Sequence, residues 1–236
     1  MAGIKQIKKS RPVKERAVKK EQSVDAESGQ DVWLNKTLDT YLTGTMTPPR
    51  GGVFHPSVLS NKCNRAVWLT YHGQMINTKL EPVLNRIFQN GNFLEKRVET
   101  WFSKIGILLG REVPVRLDSP PMSGRIDFVI RHPQHGVSPV ELKSINTAGF
   151  GKLLRPKPEH ELQLQIYLNL GEYSVGTVLY ENKNDQKIKS FIVYRDNELW
   201  STILDRCFLI QTMDKAPNEC TGDYWCGCKN IPFEMV

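Results

Sequence analysis

The chain has 236 residues, of which 39% are hydrophobic, which suits one domain of ordinary size with a sizeable buried core. No apolar run approaches the roughly 18 residues that cross a membrane, and no secretory segment is recognisable, so the sequence argues against membrane-spanning and exported classes of protein and predicts a soluble intracellular one. Residues 1–20 carry eight basic side chains against one acidic side chain, and this tail alone accounts for the net charge of +7.

The first 30 residues are rich in Lys, Glu, Gln and Ser and hold few large apolar side chains. Such a segment does not bury enough surface to offset its ordering entropy, so we expect a disordered tail over 1–30 and a folded domain over 31–236. The tail is expected to contact nucleic acid through its basic residues, which are Lys5, Lys8, Lys9, Arg11, Lys14, Arg16, Lys19 and Lys20. A mitochondrial presequence is the minority alternative, against which Pro12 and Glu15 argue.

Three helices are predicted in the first half of the domain. An amphipathic pattern over Asp31–Thr43 indicates a short helix, which the Pro- and Gly-rich run at 47–52 ends. A second helix opens at His55 and includes Leu59, Cys63 and Trp68. A longer helix spans about Glu81–Ile105, and its predicted apolar side consists of Val83, Ile87, Leu94, Val98 and Phe102.

Strand signals dominate the second half of the domain. Three strands are predicted first, at Val113–Leu117, Gly124–Arg131 and Val137–Ser144. A helix is predicted over Glu159–Leu170, followed by a hairpin of Gly176–Glu181 with Lys187–Tyr194. A final helix over Asp196–Met213 and a cysteine-rich loop over 218–230 complete the chain.

Three charged residues stand on two of these strands, in the sequences SGRIDFVI and VELKS. Successive side chains of a strand point to opposite faces, so Asp127 is predicted to point away from Ile126, Phe128 and Ile130. Glu141 and Lys143 share one face of the next strand, and the tight turn between the strands brings the three charges together.

Convergence of two carboxylates and a lysine suits the hydrolysis of a phosphodiester. Mg²⁺ prefers carboxylate and water oxygens, and it lowers the pKa of a bound water. A lysine beside the metal can hold the attacking water or neutralise the phosphate. The alternative is a solvent-facing strand with an ordinary surface ion pair.

Two helical features accompany these residues. Gln163 and Tyr167 are four residues apart and share one face of their helix, with His160 one turn earlier. In the long helix, Gly91 is expected to permit close packing, and Glu95 to reach the site as a third carboxylate. The alternatives are that Gln163 and Tyr167 lie on an exposed helix face and that Glu95 is a solvated charge.

The ordered motifs G-x₃-E, G-R-I-D, E-L-K and Q-x₃-Y, followed by LYENK, resemble the RecB-like branch of the PD-(D/E)XK nuclease superfamily over about residues 54–228. They are most similar to the CRISPR-associated RecB-like exonucleases and their phage relatives. The resemblance implies a restriction-endonuclease-like core, an α/β fold with a mixed (α+β) sheet flanked by helices. It also implies a metal-dependent deoxyribonuclease, an exonuclease more than an endonuclease, that acts on single strands or duplex ends in the cytoplasm of a bacterial or phage-infected cell.

The resemblance implies a site set that comprises Glu95, Asp127, Glu141, the Leu142 carbonyl, Lys143, Gln163 and Tyr167. In such an enzyme Asp127, Glu141 and the Leu142 carbonyl bind Mg²⁺ or Mn²⁺, and Lys143 is catalytic. The glutamine and the tyrosine orient the lysine or the DNA backbone. Many relatives have a histidine where this chain has Glu95, which stays a candidate ligand.

Cysteines stand near both ends of the domain: Cys63 at the start, and Cys220, Cys226 and Cys228 at the end. Four thiolates suit either an iron–sulfur cluster or zinc. The resembling nucleases often hold a [4Fe–4S] cluster with one early and three late cysteines, which is the favoured expectation, with Zn²⁺ or no metal as alternatives. The spacing C-x₅-C-x-C departs from the C-x₂-C-x₅-C of those relatives. Cys207 is expected in the core.

A non-catalytic nucleic-acid-binding or adaptor protein on the nuclease fold is the alternative function. The set of Asp127, Glu141 and Lys143 argues against it, because a protein that only binds nucleic acid need not retain carboxylates beside a phosphate.

Overall fold

The computed structural model describes residues 31–76, 78–222 and 226–231. The predicted disordered tail and its eight basic residues lie outside them. Contacts divide the chain into two units, Met1–Tyr41 and Leu42–Val236. Apart from Asp31, the described residues of the first unit belong to helix α1 (Val32–Leu42), whose last residue is the first of the second unit. This helix confirms the first predicted one, and none of its side chains is buried.

The second unit contains the remaining elements. Its helices are α2 (Pro56–Leu59), α3 (Asn64–Tyr71), α4 (Pro82–Lys104), α5 (Thr147–Gly151), α6 (Pro158–Leu170) and α7 (Asn197–Thr212), and a 3₁₀ turn covers Gly227–Asn230. Its strands are β1 (Gly44–Met46), β2 (Thr78–Leu80), β3 (Leu108–Leu117), β4 (Met122–His132), β5 (Gly136–Ile145), β6 (Val175–Asn182) and β7 (Ile188–Tyr194). Among the described residues, no helix has the length and apolar content that crossing a membrane requires.

Strands β3 to β7 form a five-stranded sheet in sequence order. Neighbouring strands are antiparallel except β5 and β6, which pair in parallel from Val140–Thr177 to Ile145–Asn182. A parallel pair needs a crossover connection, usually helical, and α5 and α6 provide it. The prediction of a mixed sheet flanked by helices is therefore confirmed.

Helices cover both faces of this sheet. On one face, Leu164 and Leu168 of α6 pack against strand residues such as Val178. On the other face, Leu94 and Val98 of α4 pack against a patch formed by Phe128, Ile130, Val140 and Leu142. The largest apolar cluster lies outside these layers, where α2, α3, α7 and the 3₁₀ turn meet.

The single helix predicted from His55 through Trp68 is wrong, because the chain breaks between α2 and α3. Cys63 is the N-cap of α3, and its sulfur accepts a hydrogen bond from the amide of Ala66 at 3.4 Å. An N-cap residue has non-helical backbone geometry. Cys63, which the sequence places within a helix, therefore stands at a bend beside the C-terminal segment.

The predicted apolar side of α4 is only half correct. Leu94 and Val98 are buried, whereas Val83 and Ile87 are 61% and 43% exposed. The sheet underlies only the C-terminal half of this 23-residue helix, where Leu94 and Val98 are buried and Phe102 packs against Phe128. Helical periodicity identifies a face but not the length over which that face is covered.

Candidate active site and a cysteine cluster

Asp127 lies where β4 and β5 separate. Their ladder ends at the pair Phe128–Val140. Beyond that pair, the Asp127 carboxylate accepts a hydrogen bond from the backbone amide of Leu142 at 2.8 Å. The side chain of Asp127 therefore takes the place of a ladder carbonyl and points along the sheet toward β5.

Glu141 and Lys143 extend from the same face of β5, as the alternation predicted, and that face meets α6. The Lys143 ammonium lies 2.6 Å from Glu141 Oε1, and it donates to Gln163 Oε1 at 3.1 Å. Gln163 in turn donates through Nε2 to the Tyr167 hydroxyl at 3.4 Å. One hydrogen-bonded chain thus joins the strand carboxylate to two residues that stand one turn apart on α6.

The charge of the carboxylates at this site is only partly compensated by Lys143. Burial and the charge of Glu141 raise the pKa of Asp127 to about 7. Burial also raises the pKa of Glu141, which is 1% exposed and which Lys143 opposes only in part. Glu141 Oε2 is buried and has no hydrogen-bond partner in the described structure. An oxygen that is buried and unpaired beside a second buried carboxylate fits a cation that satisfies both.

Glu95 approaches from α4. Burial and the charge of Asp127 raise the pKa of Glu95, so the two carboxylates are close enough to repel. The guanidinium of Arg111 lies 3.9 Å from Glu95 and 3.3 Å from Glu99. The expectation of close packing at Gly91 is wrong, because a Cβ built there meets no atom within 4 Å. This turn of α4 faces open space beside the site.

The predicted alternation of β4 fails at Asp127. Phe128 packs on the α4 face, whereas Ile126 belongs to a cluster with Tyr167 of α6. Opposite Asp127, Glu112 of β3 has a φ of +46°, a left-handed conformation that is rare for a glutamate. This irregularity shifts the two neighbours of Asp127 onto different faces. Strained backbone of this kind is common beside functional residues.

Sequence analysis overlooked Glu112. The charge of this side chain raises the pKa of both Asp127 and Glu95, so it lies near the site. Its carboxylate pairs with Arg125 at 3.1 Å. A single glutamate inside a strand pattern carries no sequence signal, since only the sheet register reveals that it opposes Asp127.

A cleft of about 500 Å³ adjoins the site. Gln163 and Tyr167 form its inner wall, and its outer rim includes Arg116 and Arg125. Gly124 of the G-R-I-D motif allows this arrangement, because a Cβ there would stand 2.7 Å from Pro56 and 2.9 Å from the Tyr167 ring. The glycine of that motif is thus the signal from which the approach of Tyr167 could have been predicted.

His160 lies one turn before Gln163, as predicted. Its Nδ1 is 2.8 Å from the Tyr180 hydroxyl, which itself accepts from the amide of Lys157 at 2.9 Å. Burial and the charge of Lys143 lower the pKa of His160 to about 3. This histidine is therefore a neutral neighbour of the lysine.

The four predicted cysteines converge where α3 meets the C-terminal segment. All four sulfurs of Cys63, Cys220, Cys226 and Cys228 lie within 4.8 Å of one another. Cys63 is 3.8 Å from Cys220 and 3.6 Å from Cys228, which is 3.4 Å from Cys226. Cys207 is buried in the apolar cluster instead, as predicted.

Arginines and a glycine shape this cysteine cluster. Arg206 of α7 donates to the carbonyls of Leu59 and Asn61, both at 2.7 Å, and so fixes the bend that presents Cys63. Arg65 is 1% exposed and donates to the carbonyl of Pro217 at 3.0 Å. A Cβ at Gly222 would lie 2.7 Å from the sulfur of Cys226. The backbone and the thiols are therefore packed too closely for any larger residue at that position.

The cysteine protonation states are interdependent. Burial alone acts to raise the pKa of Cys63, but hydrogen bonds from the Ala66 amide and from neighbouring groups outweigh it and lower the pKa to about 7. Burial raises the pKa of Cys226 and of Cys228. Without a cation, these thiols cannot all ionise together.

No protein-family model and no curated protein matches the sequence. Among solved structures, the chain is similar to SSO0001 at 18% identity and a TM-score of 0.54, over 86% of this chain and 95% of that one. It is also similar to the alkaline exonuclease LHK-Exo from Laribacter hongkongensis, at 15% identity and a TM-score of 0.49, over 75% and 90% of the two chains. A third likeness is to a phage-related exonuclease from Haemophilus somnus 129PT, at 19% identity and a TM-score of 0.40, over 52% and 68%. The likeness to SSO0001 shows a shared fold.

Proposed function

We propose that the chain is a metal-dependent DNA nuclease of the RecB-like branch of the PD-(D/E)XK superfamily, and that it acts as an exonuclease. The observation that carries the proposal is the buried carboxylate pair of Asp127 and Glu141, with an unsatisfied Glu141 oxygen and the Lys143 ammonium beside it. The order of the sequence motifs supports the RecB-like assignment. DNA repair, recombination, phage DNA metabolism or CRISPR-type processing would use such an activity.

The carboxylates are the proposed ligands of Mg²⁺ or Mn²⁺. Asp127, Glu141 and the Leu142 carbonyl would hold the ion, and Glu95 would complete the site from α4. When bound, the ion lowers the pKa of a coordinated water and stabilises the charge that develops on the phosphate. Three carboxylates that raise one another's pKa in its absence fit hard oxygen ligation.

Lys143 is the proposed catalytic residue. Its ammonium is held between Glu141 and Gln163, so it is positioned before substrate arrives. There it neutralises charge on the phosphate or orients the attacking water. Burial raises the pKa of Tyr167, whose hydroxyl stays protonated. Tyr167 and Gln163 thereby hold the lysine in place or donate to the DNA backbone.

The cleft beside α6 is the proposed path of the nucleic-acid backbone. Arg116 and Arg125 lie on its rim and Gln163 on its inner wall. Guanidinium groups bind phosphate in a bidentate manner. These local positive charges would bind the DNA backbone although residues 21–236 together carry no net charge. The basic residues of 1–20 would add a nonspecific contact with DNA.

One assay tests the nuclease proposal. Labelled single-stranded and duplex DNA are incubated with Mg²⁺ or Mn²⁺, and products are resolved to single nucleotides. We expect stepwise shortening from an end, no cleavage in excess chelator, and none by Asp127→Ala. Cleavage by Asp127→Ala at the wild-type rate would contradict the mechanism, and a wild type that binds DNA without cleaving it would establish the non-catalytic alternative.

The cysteine cluster is proposed as a structural metal site. The favoured sequence expectation is a [4Fe–4S] cluster, but three of the sulfur separations are 3.4–3.8 Å and none exceeds 4.8 Å, which fits a single ion better. A tetrahedral zinc with Zn–S bonds of about 2.3 Å keeps its sulfurs roughly 3.8 Å apart. A four-iron cluster places eight atoms between its thiolates and requires a wider opening. We therefore favour Zn²⁺ for this site.

Metal analysis of anaerobically purified protein distinguishes the two cofactors. We expect a colourless protein with about one zinc per chain. A brown protein with about four irons per chain would restore the iron–sulfur expectation, and a protein free of both metals would contradict a metal site at these cysteines.

A further inference from the structure

We propose that a second pocket, on the opposite flank of α4 from Glu95, binds one unpaired nucleotide of a single-stranded segment of the substrate. The pocket has a volume of about 350 Å³, within the range of roughly 300–1,000 Å³ for small-molecule sites. Its lining residues are Asn90, Phe93, Leu94, Arg97, Ser144, Glu181, Lys183 and Gln186. Its role in cleavage rests on the proposed nuclease function, which it extends by naming the form of the substrate.

The pocket offers groups for the base and for the phosphate of a nucleotide. Phe93 is 69% exposed, which leaves its ring free to stack on a base. The Asn90 amide, the Ser144 hydroxyl and the Lys183 ammonium make no hydrogen bond or ion pair with other side or main chains in the described structure. An amide suits a base edge, and an ammonium suits a phosphate.

The other polar groups of the pocket hold its wall in place. Arg97 pairs with the buried Glu181 and donates to Gln186 Oε1 at 3.0 Å. The Gln186 amide nitrogen donates to the carbonyl of Lys183 at 3.1 Å. Asn182, 1% exposed, accepts from the amide of Asn184 at 3.1 Å. The turn that carries Lys183 is thus fixed before a ligand binds, which lowers the ordering cost of binding.

Aromatic and cationic side chains continue along the same flank of α4. Phe93, Arg97 and Trp101 are each four residues apart and so share one side of the helix. The Arg97 guanidinium lies 5.3 Å from the centre of the Trp101 ring, which is 42% exposed. Alternating aromatic and basic groups form the kind of surface that single strands use, since bases stack while the backbone meets positive charge.

An unpaired base fits this pocket better than a base pair does. Contact with the face of the Phe93 ring requires a base whose own face is free, and duplex stacking covers those faces. The pocket lies close to the catalytic residues along β5, because Ser144 directly follows Lys143 and pairs in register with Glu181 near the C-terminal ends of β5 and β6. Successive side chains of a strand point to opposite faces, so Ser144 faces α4 whereas Lys143 faces Gln163 of α6. A strand that passes the metal site would round the end of the sheet to place an unpaired nucleotide here.

Binding of oligothymidylate that carries one 2-aminopurine tests the pocket in the absence of cleavage, with chelator present. We expect 2-aminopurine fluorescence to be quenched on binding. Phe93→Ala should abolish the quenching and raise Kd roughly 5- to 100-fold. Phe93→Trp should restore both. Lys183→Gln should flatten the dependence of log Kd on log salt by about 0.7.

Phe208→Ala is the matched control, since this α7 phenylalanine is 44% exposed and does not line the pocket. Phe208→Ala should leave the Kd for the oligothymidylate unchanged. Phe93→Ala should leave the Kd for blunt duplex DNA unchanged. Equal Kd and equal quenching for wild type and Phe93→Ala would overturn the pocket, even in a protein that cleaves DNA. Phe93-dependent binding in a protein that cleaves nothing would retain the pocket and refute the nuclease.

Discussion

The carboxylate site and the cysteine cluster both bring together groups that cannot all be ionised without a cation. They differ in the part of the structure that holds those groups in place. Asp127 and Glu141 stand on neighbouring strands of a hydrogen-bonded sheet whose core exists independently of them. Cys220 and Cys226 stand on a short C-terminal segment that meets the domain through Arg65, the other thiols and a few apolar side chains such as Ile231. Metal at the first site should therefore determine chemistry and metal at the second should determine stability.

The largest effect is expected from Lys143→Ala, which should abolish most of the activity and leave stability nearly unchanged. Removing the charge held between Glu141 and Gln163 should slow cleavage by roughly 10²–10³-fold. With Mg²⁺ present the melting temperature should change little, because the bound ion would offset the charge of buried Glu141 that Lys143 no longer opposes. Steady-state rates and thermal unfolding measure the two effects. Lys187→Ala, an exposed lysine of the β6–β7 turn, serves as the control, and a Lys143→Ala enzyme with full activity would refute the assignment.

Cys63→Ser should show the reverse pattern. Metal binding at a structural site contributes folding free energy, so its loss should cost roughly 3 kcal/mol or more and lower Tm by about 6–12 °C. Cleavage at low temperature should persist. Circular dichroism melts and metal content provide the measurement.

Cys207→Ser is the control for Cys63→Ser. The buried Cys207 thiol lies outside the cysteine cluster, so the Cys207→Ser protein should retain its bound metal. A Cys63→Ser protein with unchanged Tm and metal content would show that the cluster has no structural role.

Asp127→Asn should separate chemistry from stability within the carboxylate site. The pKa of Asp127 in the fold is about 7, against 3.8 for a free aspartate. The folded state therefore retains a proton that the unfolded chain releases, so metal-free stability falls as pH rises from about 4 to 7 and the penalty is complete above pH 7. At pH 8 the substitution should stabilise the metal-free protein by up to about 4 kcal/mol, while cleavage is lost.

Thermal melts in chelator at pH 4 and pH 8 check this prediction, with Asp205→Asn as an exposed control. The stabilisation should vanish at the lower pH and shrink when Mg²⁺ is added to the wild type. Equal stabilisation at both pH values would rule out the charge of Asp127 as its cause.

Deletion of residues 1–20 should have the smallest effect. These residues carry the whole net charge, so their loss should weaken DNA binding a few-fold at low salt and less as salt rises, through reduced counterion release. The rate at saturating DNA should stay the same. Titrations over a salt series measure this, and an unchanged salt dependence would contradict the predicted role of the tail.

Local sequence pattern determined most of the longer elements and much of the candidate site, but it missed β1, β2 and α5 and the break between α2 and α3. Alternation and turn residues predicted the strands that carry Asp127, Glu141 and Lys143, and spacing on one helix face placed Gln163 and Tyr167 together. These predictions succeed because the period of a strand or a helix fixes which residues are neighbours. The distribution of cysteines likewise predicted which four of the five converge, although not which ion their separation fits.

Only the tertiary structure decided the rest. Glu112 lies opposite Asp127 across β3 and β4, and next to this position Ile126 turns to the face opposite the predicted one. This arrangement depends on the register of the sheet, which no local period encodes. The exposure of Val83 and Ile87 depends on how far the sheet extends beneath α4, and the pocket at Phe93 depends on the parallel pairing of β5 with β6. Each of these features joins residues far apart in sequence, so long-range packing fixes them and local preference does not.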